Sequence, residues 1–78
     1  MSNIEIYTKS INSGLEINFN SLPAVREFLK TFYWHRDAIL EIHARNTKTD
    51  NQKSWYATNG DDALETYKQI KLLAQEVA

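Results

Sequence analysis

Residues 38–45 read Ala-Ile-Leu-Glu-Ile-His-Ala-Arg and alternate along their whole length. Side chains in a strand point to opposite faces with a period of two, so this stretch predicts a strand with two unlike faces. One face carries Ala38, Leu40, Ile42 and Ala44. The other carries Ile39, Glu41, His43 and Arg45. That second face brings an acid, an imidazole and a guanidinium onto one surface.

The composition predicts one small globular domain. The chain has 78 residues with a formal net charge of -1, and it contains no cysteine. The lack of cysteine excludes a disulfide scaffold and a cysteine-based metal site, and it favours a reducing, cytoplasmic setting. Residues 1–5 have neither the basic nor the apolar region of a secretory signal. No apolar run approaches the roughly 20 residues that a transmembrane helix needs, so no membrane partner is expected.

The first half of the chain predicts a β-hairpin followed by a helix. Ile4–Lys9 alternates and is rich in β-branched and aromatic residues, which is typical of a strand. Turn residues at 10–14 end with Gly14, and a second alternating strand follows from Leu15 to Phe19. Asn20 and Ser21 are both good N-caps, and Pro23 suits a first helical turn. The buried stripe predicted for this helix is Leu22, Val25, Phe28, Leu29 and Phe32.

The second half repeats this pattern. The first helix is expected to end near residues 34–36, and the alternating strand of 38–45 follows. A polar loop is predicted over residues 46–52, then a returning strand over 53–57. Residues 59–62 are expected to open a last helix, with acids where the helix dipole favours them. The stripe predicted for that helix is Leu64, Tyr67, Ile70, Leu73, Ala74 and Val77.

Together these elements predict an α+β fold of order ββαββα. Its four-stranded sheet would be covered on one face by two amphipathic helices, in a single domain over residues 1–78. The two ββα halves, 3–36 and 38–77, align loosely at a spacing of 39 residues, with Asn20 matching Asn59. The step from Phe19 to Ala38 is a crossover, so these two strands should be parallel if they are neighbours. The strand order is not predicted.

The Glu41, His43 and Arg45 row faces away from the helices if the helices cover the Leu40 and Ile42 side. One interpretation is a solvated face whose ion pairs contribute about 0–1 kcal/mol each. A second is catalytic: base, acid and phosphate clamp in metal-independent RNA cleavage, joined by Tyr56 or Tyr7. A net charge of -1 disfavours a protein that must hold a polyanion.

Trp55 and Tyr56 are adjacent, so on a strand one enters the core and the other lies near the Glu41–Arg45 row. Exposed aromatic residues beside arginine are typical of protein interfaces. Trp34, at the end of the first helix, is a second large aromatic that either fills the core or joins an interface. Base stacking on Trp55 is a third interpretation, and it needs a more positive surface than this chain provides.

No cofactor or metal site is predicted. His35 and His43 are the two histidines, and without cysteine they do not complete a conventional zinc site. His35 is better explained as a cation at a helix C-terminus. Gly14 and Gly60 are isolated, so no glycine-rich phosphate loop is present.

The sequence therefore favours a non-enzymatic protein-binding module over an enzyme. In size, acidity and compactness the chain is similar to small phage-encoded inhibitors, antitoxins and immunity proteins, a resemblance that transfers no residue. The expected contact residues are Glu41, His43, Arg45, Trp55 and Tyr56. An edge strand also offers a surface for homodimerisation. The alternative is a small ribonuclease or RNA-binding protein using the same face, which should then be positively charged.

Overall fold

Four strands and two helices follow one another in the order ββαββα, which confirms the predicted α+β class. The computed structural model describes residues 3–32, 38–58 and 63–78. The elements are β1 (Ile4–Ser10), β2 (Glu16–Phe19), α1 (Leu22–Thr31), β3 (Ile39–Asn46), β4 (Gln52–Thr58) and α2 (Ala63–Val77).

The sheet has the strand order β2-β1-β3-β4, and every neighbouring pair is antiparallel. β1 therefore lies between β2 and β3. The sequence predicted that β2 and β3 would be parallel if they were neighbours, and they are not neighbours. They still run in the same direction, because each is antiparallel to β1. The crossover through α1 thus skips one strand position.

The core lies between one face of the sheet and the two helices. Ile6 of β1, Leu40 and Ile42 of β3, and Ala57 of β4 are all fully buried there. α1 contributes Val25 and Leu29 to the same cluster. α1 contacts β2 and α2, while α2 contacts β1, β3 and β4. Two amphipathic helices thus cover one face, as predicted.

α1 begins as the sequence predicts. Of the two candidate caps, Ser21 is the N-cap, and its side-chain oxygen accepts a hydrogen bond from the Ala24 backbone N–H at 3.3 Å. Pro23 lies in the first turn, where its missing N–H has no helical partner to lose. The helix ends at Thr31, before the predicted end. Residues 34–36 and the expected cap of α2 at 59–62 lie outside the described residues.

One residue of the predicted α2 stripe is wrong. Leu64 is 63% exposed, whereas the buried residues of α2 are Thr66, Ile70, Leu73, Ala74 and Val77. At 3.6 residues per turn Leu64 is rotated by about 120° from Ile70, so it leaves the side that faces the sheet. Leu64 instead lines a cleft of about 210 Å³ between the helices, with Arg26, Lys30, Ala63 and Tyr67.

Asn46 connects the β3–β4 turn to the end of α2. The sequence predicts this residue as the start of a polar loop, but it is the buried last residue of β3. Its side-chain Nδ2 donates to the Val77 carbonyl at 3.0 Å, and its Oδ1 accepts from the backbone N–H groups of Lys48 and Thr49 at 2.9 and 3.1 Å. One side-chain amide thus provides hydrogen-bond partners for two backbone N–H groups of the turn and for a carbonyl at the end of α2.

Replacing Asn46 should destabilise the fold more than its size suggests. Asn46→Ala leaves the Val77 carbonyl and two turn N–H groups without this partner, so we expect a loss of about 2 kcal/mol or more in unfolding free energy. Asn46→Asp keeps the acceptor for the turn but removes the donor to Val77, and it should also destabilise. Urea denaturation measures both, with the exposed Asn51→Ala as a control expected within about 0.5 kcal/mol of wild type. Equal stability of Asn46→Ala and Asn51→Ala would contradict this role.

The two faces of β3 should respond differently to the same small change. Ile42 is fully buried and Ile39 is 36% exposed on the opposite face. Ile42→Val should cost about 0.5–1.5 kcal/mol because it removes one buried methylene. Ile39→Val should change the unfolding free energy by less than about 0.5 kcal/mol. Urea denaturation of the two variants side by side checks the assignment, and the reverse ranking would contradict it.

Candidate functional site

The side of the sheet turned away from the helices, here called the open face, carries polar side chains from all four strands. Directly opposed residues of antiparallel strands project to the same side. The register opposes Tyr7 to His43, and Glu41 to Tyr56. The residues of the open face are Glu5, Tyr7, Lys9, Glu16, Asn18, Ile39, Glu41, His43, Arg45, Gln52, Ser54, Tyr56 and Thr58. The structure therefore places the predicted Glu41, His43 and Arg45 row on the uncovered side.

The adjacent aromatic residues of β4 separate between the two faces. Tyr56 lies on the open face and is 55% exposed. Trp55 is opposed to fully buried Ile42 on the helix side, and it packs partly buried against the core. Trp55 therefore does not belong to the open face, and the candidate site keeps Tyr56 alone from this pair.

Glu41 and His43 are bonded to each other. The His43 Nε2 atom lies 2.6 Å from the Glu41 Oε1 atom, and both side chains are partly buried. The pair is a hydrogen bond when the imidazole is neutral and an ion pair when it is protonated. This contact fixes the imidazole beside Tyr7, with the two ring centroids 5.7 Å apart and the planes inclined by 40°.

Tyr7 is anchored from the other side by β2. Its hydroxyl donates a hydrogen bond to the Glu16 carboxylate. Because that bond requires the neutral phenol, and the Glu16 and Glu41 charges oppose its ionisation, the pKa of Tyr7 rises from its ordinary value of 10.0 to about 12. The Tyr7 phenol is thus held as the donor in its bond with Glu16.

Arg45 is held by two carboxylates from different parts of the chain. Its Nε atom lies 2.9 Å from Asp50 Oδ1 in the β3–β4 turn, and its Nη1 atom lies 3.7 Å from Glu5 Oε2 on β1. Asp50 adopts a positive φ of 65°, a turn conformation that aspartate tolerates better than most residues. The side chains are well exposed, so the pairs orient the guanidinium more than they stabilise the fold.

The open face becomes apolar at the end where β3 begins. Ile39 is 36% exposed and Tyr56 is 55% exposed, and they are diagonal neighbours across β3 and β4. Ile11 follows β1 on the other side, where its backbone N–H donates to the Ile39 carbonyl at 3.0 Å, and it is 45% exposed. We call these three residues the apolar end. The alternation of residues 38–45 predicted Ile39 on the outward side of β3, but neither Ile39 nor Ile11 was among the predicted contact residues.

Two features of the open face bear on its chemistry. Its charges are mixed, with three carboxylates (Glu5, Glu16 and Glu41) against two cations (Lys9 and Arg45). Between the strands lies a shallow depression of about 260 Å³, lined by Glu5, Tyr7, Asn18, His43, Arg45 and Gln52. Tyrosine and arginine, both present on the open face, are enriched at protein contacts.

Other site types receive little support from the described part of the chain. No group of three or more His, Cys, Asp or Glu side chains in residues 3–32, 38–58 and 63–78 is arranged to hold a metal ion. Neither described helix combines the length and apolar character required to span a bilayer. Trp34 and His35, both considered in the sequence analysis, lie outside the described residues.

Comparisons with known protein families, with curated proteins and with solved structures found no match. The chemistry of the open face is therefore the basis for assigning a function.

The link between Tyr7 and Glu16 can be tested by titration. Glu16→Gln removes the carboxylate charge, so the pKa of Tyr7 should fall from about 12 towards its ordinary 10.0. The raised pKa belongs to the folded state. The contribution of the Tyr7–Glu16 hydrogen bond to the free energy of unfolding is therefore complete below pH 10.0 and is lost as the pH rises towards about 12. The Tyr7 Cζ chemical shift measured by NMR follows the titration. Glu27→Gln on α1 is the control, and an unchanged Tyr7 pKa in Glu16→Gln would contradict the assigned cause.

Proposed function

We propose that this protein is a small non-enzymatic binding module of the inhibitor type, which blocks a surface of a protein target with its open face. The observation that carries the proposal is the apolar end, Ile11, Ile39 and Tyr56, adjoining a row of side chains that already pair with one another. At one end of such a surface, burial of apolar side chains stabilises a complex. At the other end, polar groups are already oriented for a partner.

The apolar end would supply most of the binding energy. Ile39 and Tyr56 project from neighbouring strands of a rigid sheet, so little conformational entropy is lost when they are covered. Tyrosine is enriched among the few residues that dominate interface energies, and such residues are commonly surrounded by weaker contacts that exclude water. The polar residues of β1 and β3 would take that surrounding role.

The paired charges would contribute specificity. Arg45 is held by Glu5 and Asp50 before any partner arrives, so its guanidinium is oriented in advance. A partner must match a fixed pattern of donors and acceptors, and a partner that leaves a buried charge unpaired is rejected. This is the behaviour required of an inhibitor that recognises one target.

The charge of the open face separates this proposal from the ribonuclease or RNA-binding alternative. Three carboxylates against two cations make a mixed surface, whereas binding of a nucleic acid draws on many cationic contacts with phosphates. This mixed charge favours protein binding.

The proposed setting is the cytoplasm, supported by a chain of 78 residues without cysteine. Small phage-encoded inhibitors, antitoxins and immunity proteins are the class that we infer, on the basis of size, acidity and surface character. The proposal requires neither a cofactor nor a metal ion.

The proposal predicts that one exposed side chain dominates target binding. Affinity capture from cell extract followed by mass spectrometry identifies the partner, and calorimetry with the purified partner then measures affinity. Tyr56→Ala should weaken binding by about 30-fold or more, the effect of a central interface residue. Leu72→Ala on α2, which removes another exposed apolar side chain (49% exposed), should change affinity less than about twofold. If Tyr56→Ala and Ile39→Ala both bind as tightly as wild type, the open face is not the contact surface.

The alternative function is tested in a separate experiment with RNA. Labelled RNA incubated with wild-type protein should remain intact and unbound at moderate salt, because the open face lacks a positive field. Cleavage that disappears in His43→Ala would overturn the proposal in favour of a ribonuclease.

A further inference from the structure

β4 forms one edge of the sheet and has the properties of a strand that pairs with another strand. It pairs with β3 over seven consecutive residues without a bulge, from Gln52 opposite Arg45 to Thr58 opposite Ile39. On its other side no described strand is present. The opposite edge, β2, has only four residues, so β4 is the more extended edge.

The hydrogen-bond pattern shows which backbone groups of β4 point outward. The Asn46 N–H donates to the Asn51 carbonyl at 2.8 Å, which fixes the alternation of the β3–β4 ladder. Lys53, Trp55 and Ala57 therefore direct their backbone groups towards β3. Ser54 and Tyr56 direct theirs away from the sheet, where they can bond a further strand.

Devices that commonly protect an edge strand are weak in β4. Natural edges are blunted by proline, bulges or charged side chains. β4 contains no proline, and its register is continuous. Its one charged side chain, Lys53, is of a type that protects edge strands, but its Nζ atom is paired with Glu76 Oε2 on α2 at 3.2 Å. Within the described residues, the outward backbone groups of Ser54 and Tyr56 are thus left accessible.

We propose that two copies of this chain associate through antiparallel pairing of β4 with β4, with Trp55 on the twofold axis. This is the register in which all seven residues of both strands pair. Ser54 then opposes the partner's Tyr56, and both carry outward backbone groups. Lys53 opposes the partner's Ala57, so the two lysines stay apart. The partner strand is a second copy of β4 because, under twofold symmetry, each β4 supplies both the Ser54 and the Tyr56 backbone groups that the other strand requires.

The proposed register also matches the side chains at the axis. Two Trp55 side chains face each other on the helix side, where each is only partly buried in the single chain. The pairing would cover their remaining surface. Antiparallel pairing keeps all four helices on one side, so the two open faces join. The two Tyr56 side chains then become diagonal neighbours, about 7–8 Å apart, at the centre of the combined surface.

A proline at an outward position tests the pairing directly. The Ser54 N–H points away from β3, so Ser54→Pro removes the intermolecular donor and leaves the β3–β4 ladder intact. Twofold symmetry removes the bond from both copies, and the dimer dissociation constant should rise roughly 10- to 100-fold. Sedimentation velocity over a concentration series measures the change. Ser54→Ala, which keeps the N–H, should dimerise like wild type.

Hydrogen exchange of the wild-type protein gives an independent reading that does not depend on how Ser54→Pro folds. The Ser54 and Tyr56 amides should become more protected as protein concentration rises, while protection of the Trp55 amide, which bonds β3, should change little. The proposal would be overturned if the wild type stayed monomeric or if Ser54→Pro still dimerised. It would also be overturned if protection of the Ser54 and Tyr56 amides did not change with protein concentration. The dimer does not depend on the proposed target binding. Tyr56→Ala removes the side chain proposed to bind the target but keeps the backbone groups that form the dimer, so the two proposals can fail separately.

Discussion

The fully buried aliphatic row of β3 is the constraint on which the rest of the structure depends. Leu40, Ile42 and Ala44 are each at 0% exposure, between the sheet and the two helices. β3 is also paired on both sides, with β1 and with β4, over seven residues each. A shift of one residue in either register would turn this row towards solvent, so burial fixes the register as firmly as the hydrogen bonds do.

The open face is a consequence of that same register. Once the aliphatic row is buried, Glu41, His43 and Arg45 must project to the other side, and their neighbours are decided by the pairing of β1 and β4. Tyr7 thereby lies beside His43, and Glu5 beside Arg45. The open face is therefore positioned by the core, which explains how side chains from separate strands acquire fixed partners in a chain of 78 residues.

Local patterns predicted much of this fold, and long-range pairing accounts for what they missed. Alternation in residues 38–45 and a cap at Ser21 predicted β3, its uncovered side and the start of α1. The strand order was not predictable, because no local signal shows that β1 lies between β2 and β3. Asn46 was misjudged as a loop residue since its partner, the Val77 carbonyl, is 31 residues away. The apolar end was missed for the same reason, because Ile11 meets Ile39 only through the sheet.

The central position of β1 also determines when this chain can fold. β1 pairs with β3 as far as Ile4 with Asn46, so one of its two edges stays unsatisfied until residue 46 is available. The two ββα halves are consequently joined in one sheet, although each contains a hairpin and a helix. Closing such distant pairs early costs chain entropy, so folding should be slower than helix content alone suggests. During synthesis, β1 would therefore complete its pairing only after β3 had left the ribosome.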